Sequence, residues 1–341
     1  MGLEVEQSPA TAFKKTQVFK QARVRRAFDR AAANYEQFAV LQNEVCARLL
    51  EKLDIVKIAP NFILDAGSGT GRAIPGLFKR YKKAELVTLD LSENMLAECC
   101  KKGGFFRSPH LVCADIERLP FADGSFDLVY SSLSMQWCND LNAALLEAFR
   151  VLKPGGLFVF TTFGPDTLKE LRHSWAEVDD VNHVNQFVDM HDIGDALLQD
   201  GFAEPVMEAE MMTVTYNTVD AIMHDLKAIG ANVTAESPAA YQQITQQIKQ
   251  QPSNASQSHK QQKKTLQSHN NQRKNSQNKG LSAKSILQTV RQSYEQFRQN
   301  GLLPVTYEVI YGHAWKPESV KSMGLAETDR PARRQHVQFM R

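Results

Sequence analysis

The feature that most constrains the fold of this chain is the stretch ILDAGSGTGR at residues 63–72. An apolar run ends in Asp65, and glycines then occupy the alternate positions Gly67, Gly69 and Gly71. In open α/β sheets, a strand that runs into a glycine-rich turn brings the backbone close to a ligand at the carboxyl end of that strand. The stretch therefore predicts an α/β fold with a binding site at this edge of its sheet.

The glycine spacing argues against a dinucleotide as the ligand. Counted from Gly67, the dinucleotide fingerprint G-x-G-x-x-G requires a third glycine at position 72, where this chain has Arg72. A carboxylate two residues before the first glycine also disfavours a pyrophosphate at the N-terminus of the following helix. It suits a ligand with a cationic end, such as an amino group or a sulfonium.

Strand and helix patterns alternate through the first half of the chain, which predicts a parallel sheet with helices on both faces. The predicted parallel strands are residues 62–64, 86–89, 111–113, 128–131 and 157–163. Two later strand patterns, at 211–216 and 305–311, are joined by a long connection. They predict an antiparallel hairpin at the edge of a seven-stranded, mostly parallel sheet.

Three acids follow three successive strand patterns at even spacing, namely Asp65, Asp90 and Asp115. Asp90, in VTLDLS, is placed to bind two ribose hydroxyls. Asp115, in CADIERLPF, can read an adenine edge together with the backbone amide that follows it. Because the carboxyl ends of parallel strands meet at one edge of the sheet, the three acids predict a single ligand bound along that edge.

The formal net charge of +2 conceals an uneven distribution. Residues 237–294 contain nine lysines and arginines and no acid, which leaves 31 basic against 38 acidic residues in the remainder. Within that stretch, residues 242–279 are rich in Gln, Asn, Ser and Lys and cannot bury enough apolar surface to fold alone. We therefore predict a disordered polar insert there. It lacks the interleaved aromatics that stack bases, so nucleic-acid binding is disfavoured.

The composition predicts neither a membrane span nor a metal site. The longest apolar runs, such as residues 157–163, are too short to cross a bilayer, and the first ten residues do not resemble a secretory signal. The five cysteines form no CxxC pair and no Cys/His spacing that fits zinc. We predict a cytoplasmic monomer without a metal, in which the cysteines are reduced and buried.

Residues 41–163 resemble the class I S-adenosylmethionine (SAM)-dependent methyltransferases. The motifs that carry the resemblance are LDAGSGTG, TLD, ADIERLPF, FDLVYSS and VLKPGG. It implies a Rossmann-like fold, SAM as the cofactor and S-adenosylhomocysteine as its product. The cofactor-binding residues that it implies are Gln42, Asp65, Gly67, Ser68, Gly69, Gly71, Asp90, Leu91, Asp115, Ile116 and Ser131.

The flanking segments are similar to the malonyl-acyl-carrier-protein O-methyltransferases of biotin synthesis. These segments are FDRAAANYEQFAVLQ, SMQWCNDL, GPDTLKELRHSW and DLKAIGAN. The resemblance implies methyl transfer from SAM to the free carboxylate of a malonyl thioester, carried by acyl carrier protein or coenzyme A. That carboxylate is ionised at neutral pH, so the reaction needs no general base. Acyl carrier proteins are acidic, so Arg23, Arg25 and Arg26 or the lysines of the insert are the candidate docking cations.

Tyr35, Trp137 and Arg172 are the candidate catalytic residues. Tyr35 and Gln42 either close over the methionine half of the cofactor as part of an N-terminal helical lid or pack an amphipathic helix against the sheet. Trp137 either forms a wall of the methyl-transfer site or is a core tryptophan. The candidate cations for the malonyl carboxylate, each with a solvated surface residue as its alternative, are Arg172, Lys227 and His313.

Two other functions stay open at this point. One is a related methyltransferase with a different acceptor, such as a small carboxylic acid or a quinone precursor. The other is a respiratory-complex assembly factor that hydroxylates a protein arginine, since such proteins share the pattern GxDTLxELR. The predicted organisation is an N-terminal extension and lid at 1–40, a SAM-binding core at 41–163, substrate-side helices and last strands at 164–315, and a tail at 316–341.

Overall fold

A computed structural model describes residues 21–104, 107–179, 182–231 and 283–318 of the chain. The five parallel strands are β1 Phe62–Ala66, β2 Glu85–Asp90, β3 His110–Cys113, β4 Phe126–Ser132 and β5 Leu152–Phe163. The two antiparallel strands are β6 Ala203–Tyr216 and β7 Leu303–Trp315. Their order in the sheet is β3-β2-β1-β4-β5-β7-β6. This confirms the predicted Rossmann-like sheet with an antiparallel edge hairpin.

Ten α-helices accompany the strands within the described ranges. Those before β4 are α1 Gln21–Ala31, α2 Tyr35–Phe38, α3 Val40–Lys52, α4 Ile74–Arg80 and α5 Glu93–Cys100. Those after β4 are α6 Leu141–Val151, α7 Lys169–Ala176, α8 Met190–Gln199, α9 Val219–Ala228 and α10 Ala283–Glu295. The predicted insert at 242–279, residues 1–20 and the tail from 319 onward lie outside the described residues.

Burial explains which strands were easy to predict. Strand β5 reads LFVFTT from Leu157 and is buried on both faces, as expected of a central strand covered by helices on both sides. One apolar layer joins the sheet to α3, α4 and α9, and a second joins it to α6 and α8. The sheet is thus sandwiched between helices, and its carboxyl edge is left to form a site.

The edge strand β6 begins eight residues before its predicted start at 211. Its first half alternates half-buried and exposed residues, and the register shifts between Ala203 and Val206. An edge strand needs only one apolar face and tolerates Pro205 near its start, so its first half lacks a continuous apolar signal. The helix α10 was also not predicted, although Val290 and Tyr294 bury one face of it.

The prediction that the cysteines are buried is correct for Cys46 and Cys99. It is wrong for Cys100 and Cys113, which are exposed. Cys113 ends the short strand β3, which lies at an edge of the sheet and has a partner strand on one side only.

Candidate cofactor and acceptor site

The glycine-rich loop after β1 adopts a backbone conformation that favours glycine. Gly67, Gly69 and Gly71 all have positive φ, at 77°, 53° and 79°. A Cβ on Gly67 would lie 2.3 Å from the Cβ of Ser134. A Cβ on Gly69 would meet no atom within 4 Å. The loop is therefore tightly packed at Gly67 and open at Gly69, which lines a cavity.

The carboxylate of Asp90 holds this loop from the neighbouring strand. Its Oδ2 accepts a hydrogen bond from the backbone N–H of Gly69 at 2.9 Å, and its Oδ1 accepts one from that of Ser92 at 2.8 Å. Burial raises the pKa of Asp90 to about 6, although these two N–H donors favour the ionised form. Asp90 thus joins the carboxyl ends of β1 and β2 into one rigid edge.

Asp65 is a buried carboxyl at the end of β1. It is 2 % exposed, and its Oδ2 has no hydrogen-bond partner among the described residues. Burial, with a smaller contribution from the charge of Asp90, raises its pKa to about 8. A buried carboxyl without a partner is costly unless a ligand supplies a donor or a positive charge. Asp65 therefore fits a ligand whose cationic group lies at this end of the site.

Asp115 and Glu117 order the loop after β3. The backbone N–H of Glu117 donates to the Asp115 Oδ1 at 3.0 Å. The carboxylate of Glu117 accepts from the backbone N–H of Asn139 at 2.6 Å and from the side chain of Gln21 at 3.3 Å. This acid therefore connects the loops after β3 and β4 to the first helix.

These elements line a first cavity, open to solvent, at the carboxyl edge of the sheet, where ligands of α/β proteins bind. The predicted site residues that line it are Tyr35, Gln42, Asp65, Gly67, Ser68, Gly69, Asp90, Leu91, Asp115, Ile116 and Trp137. Gly71 and Ser131 do not line it. Gly71 closes the turn through its N–H to the carbonyl of Ser68, and the Ser131 hydroxyl donates to the carbonyl of Ala66 behind β1. They support the cavity from outside.

Residues of the N-terminal helices line this first cavity, and their action as a lid stays a prediction. Val24 and Phe28 of α1 line the cavity, and the Phe28 ring packs edge-on against Trp137 with centroids 5.2 Å apart.

Polar contacts attach α1 to α5 and to the residue before it. Asp29 accepts a hydrogen bond from the Ser92 hydroxyl at 2.6 Å. Arg25, a candidate docking cation, pairs with Glu93 at 2.9 Å, so α1 is attached to α5.

A second cavity adjoins the first on the side of β5. The two cavities share a wall made of Gln42, Gln136, Trp137, Phe163, Ile229 and Ala231. The residues that line the second cavity alone are Thr167, Leu168, Leu171, Trp175, His183, Val184, Asn185, Phe187, Met223, Leu226 and Tyr307. Most are aliphatic or aromatic. The pair of cavities can therefore hold two ligands side by side, with Trp137 in the wall between them.

The three predicted carboxylate-binding cations line neither cavity. The guanidinium of Arg172 donates to the carbonyls of Pro165 at 3.0 Å and Thr167 at 2.9 Å. Lys227 is exposed on α9, and His313 lies on β7, where burial lowers its pKa. The geometry therefore gives no support to a direct role for Arg172 at the acceptor, and that role stays a prediction.

Sequence reasoning missed two basic residues that do line the cavities. Arg72 lines the first cavity directly after the glycine loop. Its position in the sequence could have indicated this, because Arg72 directly follows the glycine loop and replaces the third glycine of a dinucleotide fingerprint. His183 lines the second cavity from the coil between α7 and α8, where no motif marks it.

Within the described part of the chain, no cluster of His, Cys, Asp and Glu side chains could hold a metal ion. None of the helices resolved there combines the length and the apolar character that a bilayer span requires.

Comparisons with known proteins find a methyltransferase domain and curated relatives that share one name. A family model described as a methyltransferase domain matches residues 64–160. The malonyl-[acyl-carrier protein] O-methyltransferase of Methylovorus sp. is 45 % identical over 306 residues, which cover 88 % of this chain and 90 % of that protein. The protein of the same name from Laribacter hongkongensis is 45 % identical over 306 residues, covering 87 % and 90 %. Among solved structures, phosphoethanolamine N-methyltransferase 2 of Haemonchus contortus matches at 19 % identity with a TM-score of 0.48, over 86 % of this chain and 60 % of that one.

Proposed function

The chain belongs to the malonyl-[acyl-carrier protein] O-methyltransferase family, and we propose that its first cavity holds SAM while the second holds the malonyl thioester. It is a SAM-dependent methyltransferase that esterifies the free carboxylate of a malonyl group on acyl carrier protein. The product is a methyl ester that primes the synthesis of the pimeloyl chain of biotin. The observation that carries the assignment of the cavities is the buried Asp65, whose Oδ2 has no partner among the described residues, in a cavity that shares a wall with a second one.

The placement of SAM follows the charges at the edge of the sheet. In this proposal Asp65 faces the amino group of the methionine portion, because that group supplies the positive charge the carboxyl lacks. Asp90 binds the ribose hydroxyls while its N–H donors keep it oriented. Asp115 and the backbone amide of Ile116 contact the adenine. The methionine, ribose and adenine portions of SAM then lie in turn at the ends of β1, β2 and β3.

The acceptor site works by positioning and by exclusion of water. Bound SAM supplies an electrophilic methyl group on a sulfonium. The contribution of the chain is to hold the malonyl carboxylate in line with that methyl group, with Trp137 in the shared wall and the apolar side chains beyond it keeping water out. Since the carboxylate is already ionised, no residue has to remove a proton from it.

Exposed arginines beside the cavity favour an acidic carrier protein as the partner. Arg23 and Arg26 are exposed on α1, the helix whose Val24 and Phe28 line the first cavity. Acidic partners are steered to such surfaces, and the effect weakens with added salt. Residues of a single chain line both cavities, so the proposal requires no second copy of the protein.

The test is a transfer assay with methyl-labelled SAM and three carriers, namely malonyl-, succinyl- and acetyl-acyl carrier protein. We expect label on the malonyl carrier, removable by mild base as an ester must be, and none on the acetyl carrier, which has no free carboxylate. SAM binding without transfer to any of the three would leave the cofactor site standing and overturn the proposed acceptor.

A further inference from the structure

We propose that His183 binds the malonyl carboxylate in the second cavity and thereby distinguishes the anionic acceptor from its neutral methyl ester. This rests on the proposed function, because it assigns the second cavity to the malonyl group. His183 lies in the coil after α7, at a distance in sequence from the SAM motifs.

The composition of the second cavity singles out this residue. Among the described side chains that line it, His183 is the one with a basic group. The others are apolar or aromatic, or carry neutral hydroxyl and amide groups, as Thr167 and Asn185 do. Neutral groups can donate a hydrogen bond to a carboxylate and to an ester carbonyl alike. A cationic donor strengthens only the contact with the charged species.

Two contacts hold the imidazole ring of His183 in place. Its Nε2 lies 2.8 Å from the Oδ1 of Asp179, and its ring stacks on Trp175 with centroids 3.8 Å apart and planes 16° from parallel. The side chain is 27 % exposed, so it is neither a freely solvated residue nor a sealed core residue. With Nε2 engaged by Asp179, Nδ1 is the ring atom left to serve a ligand, and in the imidazolium form both nitrogens donate.

This arrangement suits an acceptor that loses its charge in the reaction. In the proposed step, Nδ1–H of His183 donates to one carboxylate oxygen while the other oxygen attacks the methyl carbon. The new O–C bond forms as the C–S bond breaks, and sulfur keeps the electron pair of the broken bond. The acceptor becomes a neutral ester and the sulfonium a neutral thioether, with no proton transferred. The contact with His183 weakens at that moment, which favours release of the product.

The decisive experiment compares the affinities of His183→Asn for malonyl-acyl carrier protein and for the corresponding methyl ester carrier. We expect the KM for malonyl-acyl carrier protein to rise about 10- to 100-fold, as for loss of a hydrogen bond to a charged group. We expect kcat to change less than KM. The Kd values of the methyl ester carrier and of SAM should stay within about 3-fold, because neither ligand presents the malonyl carboxylate to His183. Asp179→Asn should raise the same KM by a smaller factor.

His173, on α7, provides a matched control. It also lies near an acid four residues away, Glu177, and its ring packs edge-on against Phe297 with centroids 5.5 Å apart. It lines neither cavity. His173→Asn should therefore leave both carrier affinities unchanged.

Three outcomes would overturn the proposal. One is an unchanged KM for malonyl-acyl carrier protein in a folded His183→Asn protein. Another is an equal loss of affinity for the malonyl and methyl ester carriers, which would indicate a role in shape alone. The third is an equal effect of His173→Asn. Failure of the unsubstituted protein to methylate malonyl-acyl carrier protein would overturn the proposed function itself. The transfer assay with methyl-labelled SAM measures that outcome separately.

Discussion

The carboxylate of Asp90 accepts a hydrogen bond from the backbone N–H of Gly69 at 2.9 Å, so the end of β2 fixes the glycine loop that follows β1. The same carboxylate is proposed to bind the ribose of SAM. We expect Asp90→Ala to weaken SAM binding about 10- to 100-fold, because loss of a hydrogen-bonded ligand contact costs about 1–3 kcal/mol. Isothermal titration calorimetry with SAM measures the change.

Asp127 offers a matched control for Asp90. It accepts hydrogen bonds from the backbone N–H groups of Asn61 at 2.9 Å and Phe62 at 2.8 Å, at the amino end of β1. It lines neither cavity. Asp127→Ala should lower the melting temperature and leave SAM affinity intact. Unaltered affinity in Asp90→Ala would contradict the ribose assignment.

Asp65 should make SAM binding depend on pH. Its pKa of about 8 lies above the ordinary value of 3.8, so the folded protein binds more protons than the unfolded chain between those values. The contribution of Asp65 to stability is therefore lost as the pH rises through this window. A cationic ligand group favours the ionised form, so binding of SAM at pH 7 should release up to about one proton from this carboxyl.

Calorimetry in two buffers of different ionisation enthalpy counts the protons released by Asp65. We expect the release to be absent at pH 9, where Asp65 is already ionised, and to be abolished in Asp65→Asn. The same variant should flatten the decline in stability between pH 4 and pH 8 in the absence of ligand. Equal proton release by the substituted and unsubstituted proteins would place the amino group of SAM elsewhere.

Much of the lining of the first cavity was predictable from sequence because its parts are local. The glycine loop follows β1, Asp90 ends β2 and Asp115 follows β3, and parallel strands bring all three to the same edge. The second cavity was not predictable in this way. Its lining comes from β5, α7, α9, β7 and a coil, and no residue spacing in the sequence records that these segments meet. His183 is identified by the residues that surround it in the folded chain and not by a sequence motif.

The same distinction explains the strands and helices that were missed. Apolar runs marked β1, β2, β4 and β5, whose residues are mostly buried, and a short run marked the edge strand β3. Strand β6 has one exposed face, and its polar first half has no continuous apolar signal that predicts a strand. The helix α10 follows a polar segment, and Val290 and Tyr294 are buried by tertiary contacts that a composition argument does not detect. Local propensity predicts secondary structure poorly where tertiary packing determines it.

Gly67 and Gly69 should respond differently to alanine. A methyl group on Gly67 would lie 2.3 Å from the Cβ of Ser134, so Gly67→Ala must displace the loop after β4 as well as strain its own backbone. On Gly69 the methyl group meets no atom within 4 Å, which leaves backbone strain of about 1–2 kcal/mol. We expect Gly67→Ala to lose more thermal stability. Gly69→Ala should remain folded and lose SAM affinity, because Gly69 lines the cavity.

Thermal unfolding and SAM titration of the two glycine variants give the comparison directly. A larger loss of melting temperature in Gly69→Ala than in Gly67→Ala would contradict the packing at Ser134. Undiminished SAM affinity in Gly69→Ala would mean that the cofactor does not approach this part of the loop.

Phe28 should control how long SAM stays bound. It lines the first cavity and packs edge-on against Trp137, a contact whose loss costs about 0.5–1.5 kcal/mol beyond that of the buried area. We expect Phe28→Ala to raise the dissociation rate of SAM about tenfold. Phe38 is the control, since it makes a similar edge contact with His224 at 5.3 Å but lines neither cavity. Stopped-flow displacement should show little change for Phe38→Ala, and equal rates in the two variants would argue against a lid formed by α1.

Arg172 should support the loop after β5 and leave the reaction itself unaffected. Its guanidinium donates to the carbonyls of Pro165 and Thr167, and burial lowers its pKa. Arg172→Ala should therefore cost about 1–3 kcal/mol of stability, as for loss of hydrogen bonds from a charged group. Lys169 lies on the same helix as Arg172 and forms an exposed ion pair with Asp166. Lys169→Ala should therefore cost less than about 1 kcal/mol of stability. In the folded fraction of Arg172→Ala we expect unchanged KM and kcat. A KM for malonyl-acyl carrier protein raised tenfold or more without loss of stability would instead restore Arg172 as the residue that binds the carboxylate, and would require the loop to rearrange when the carrier docks.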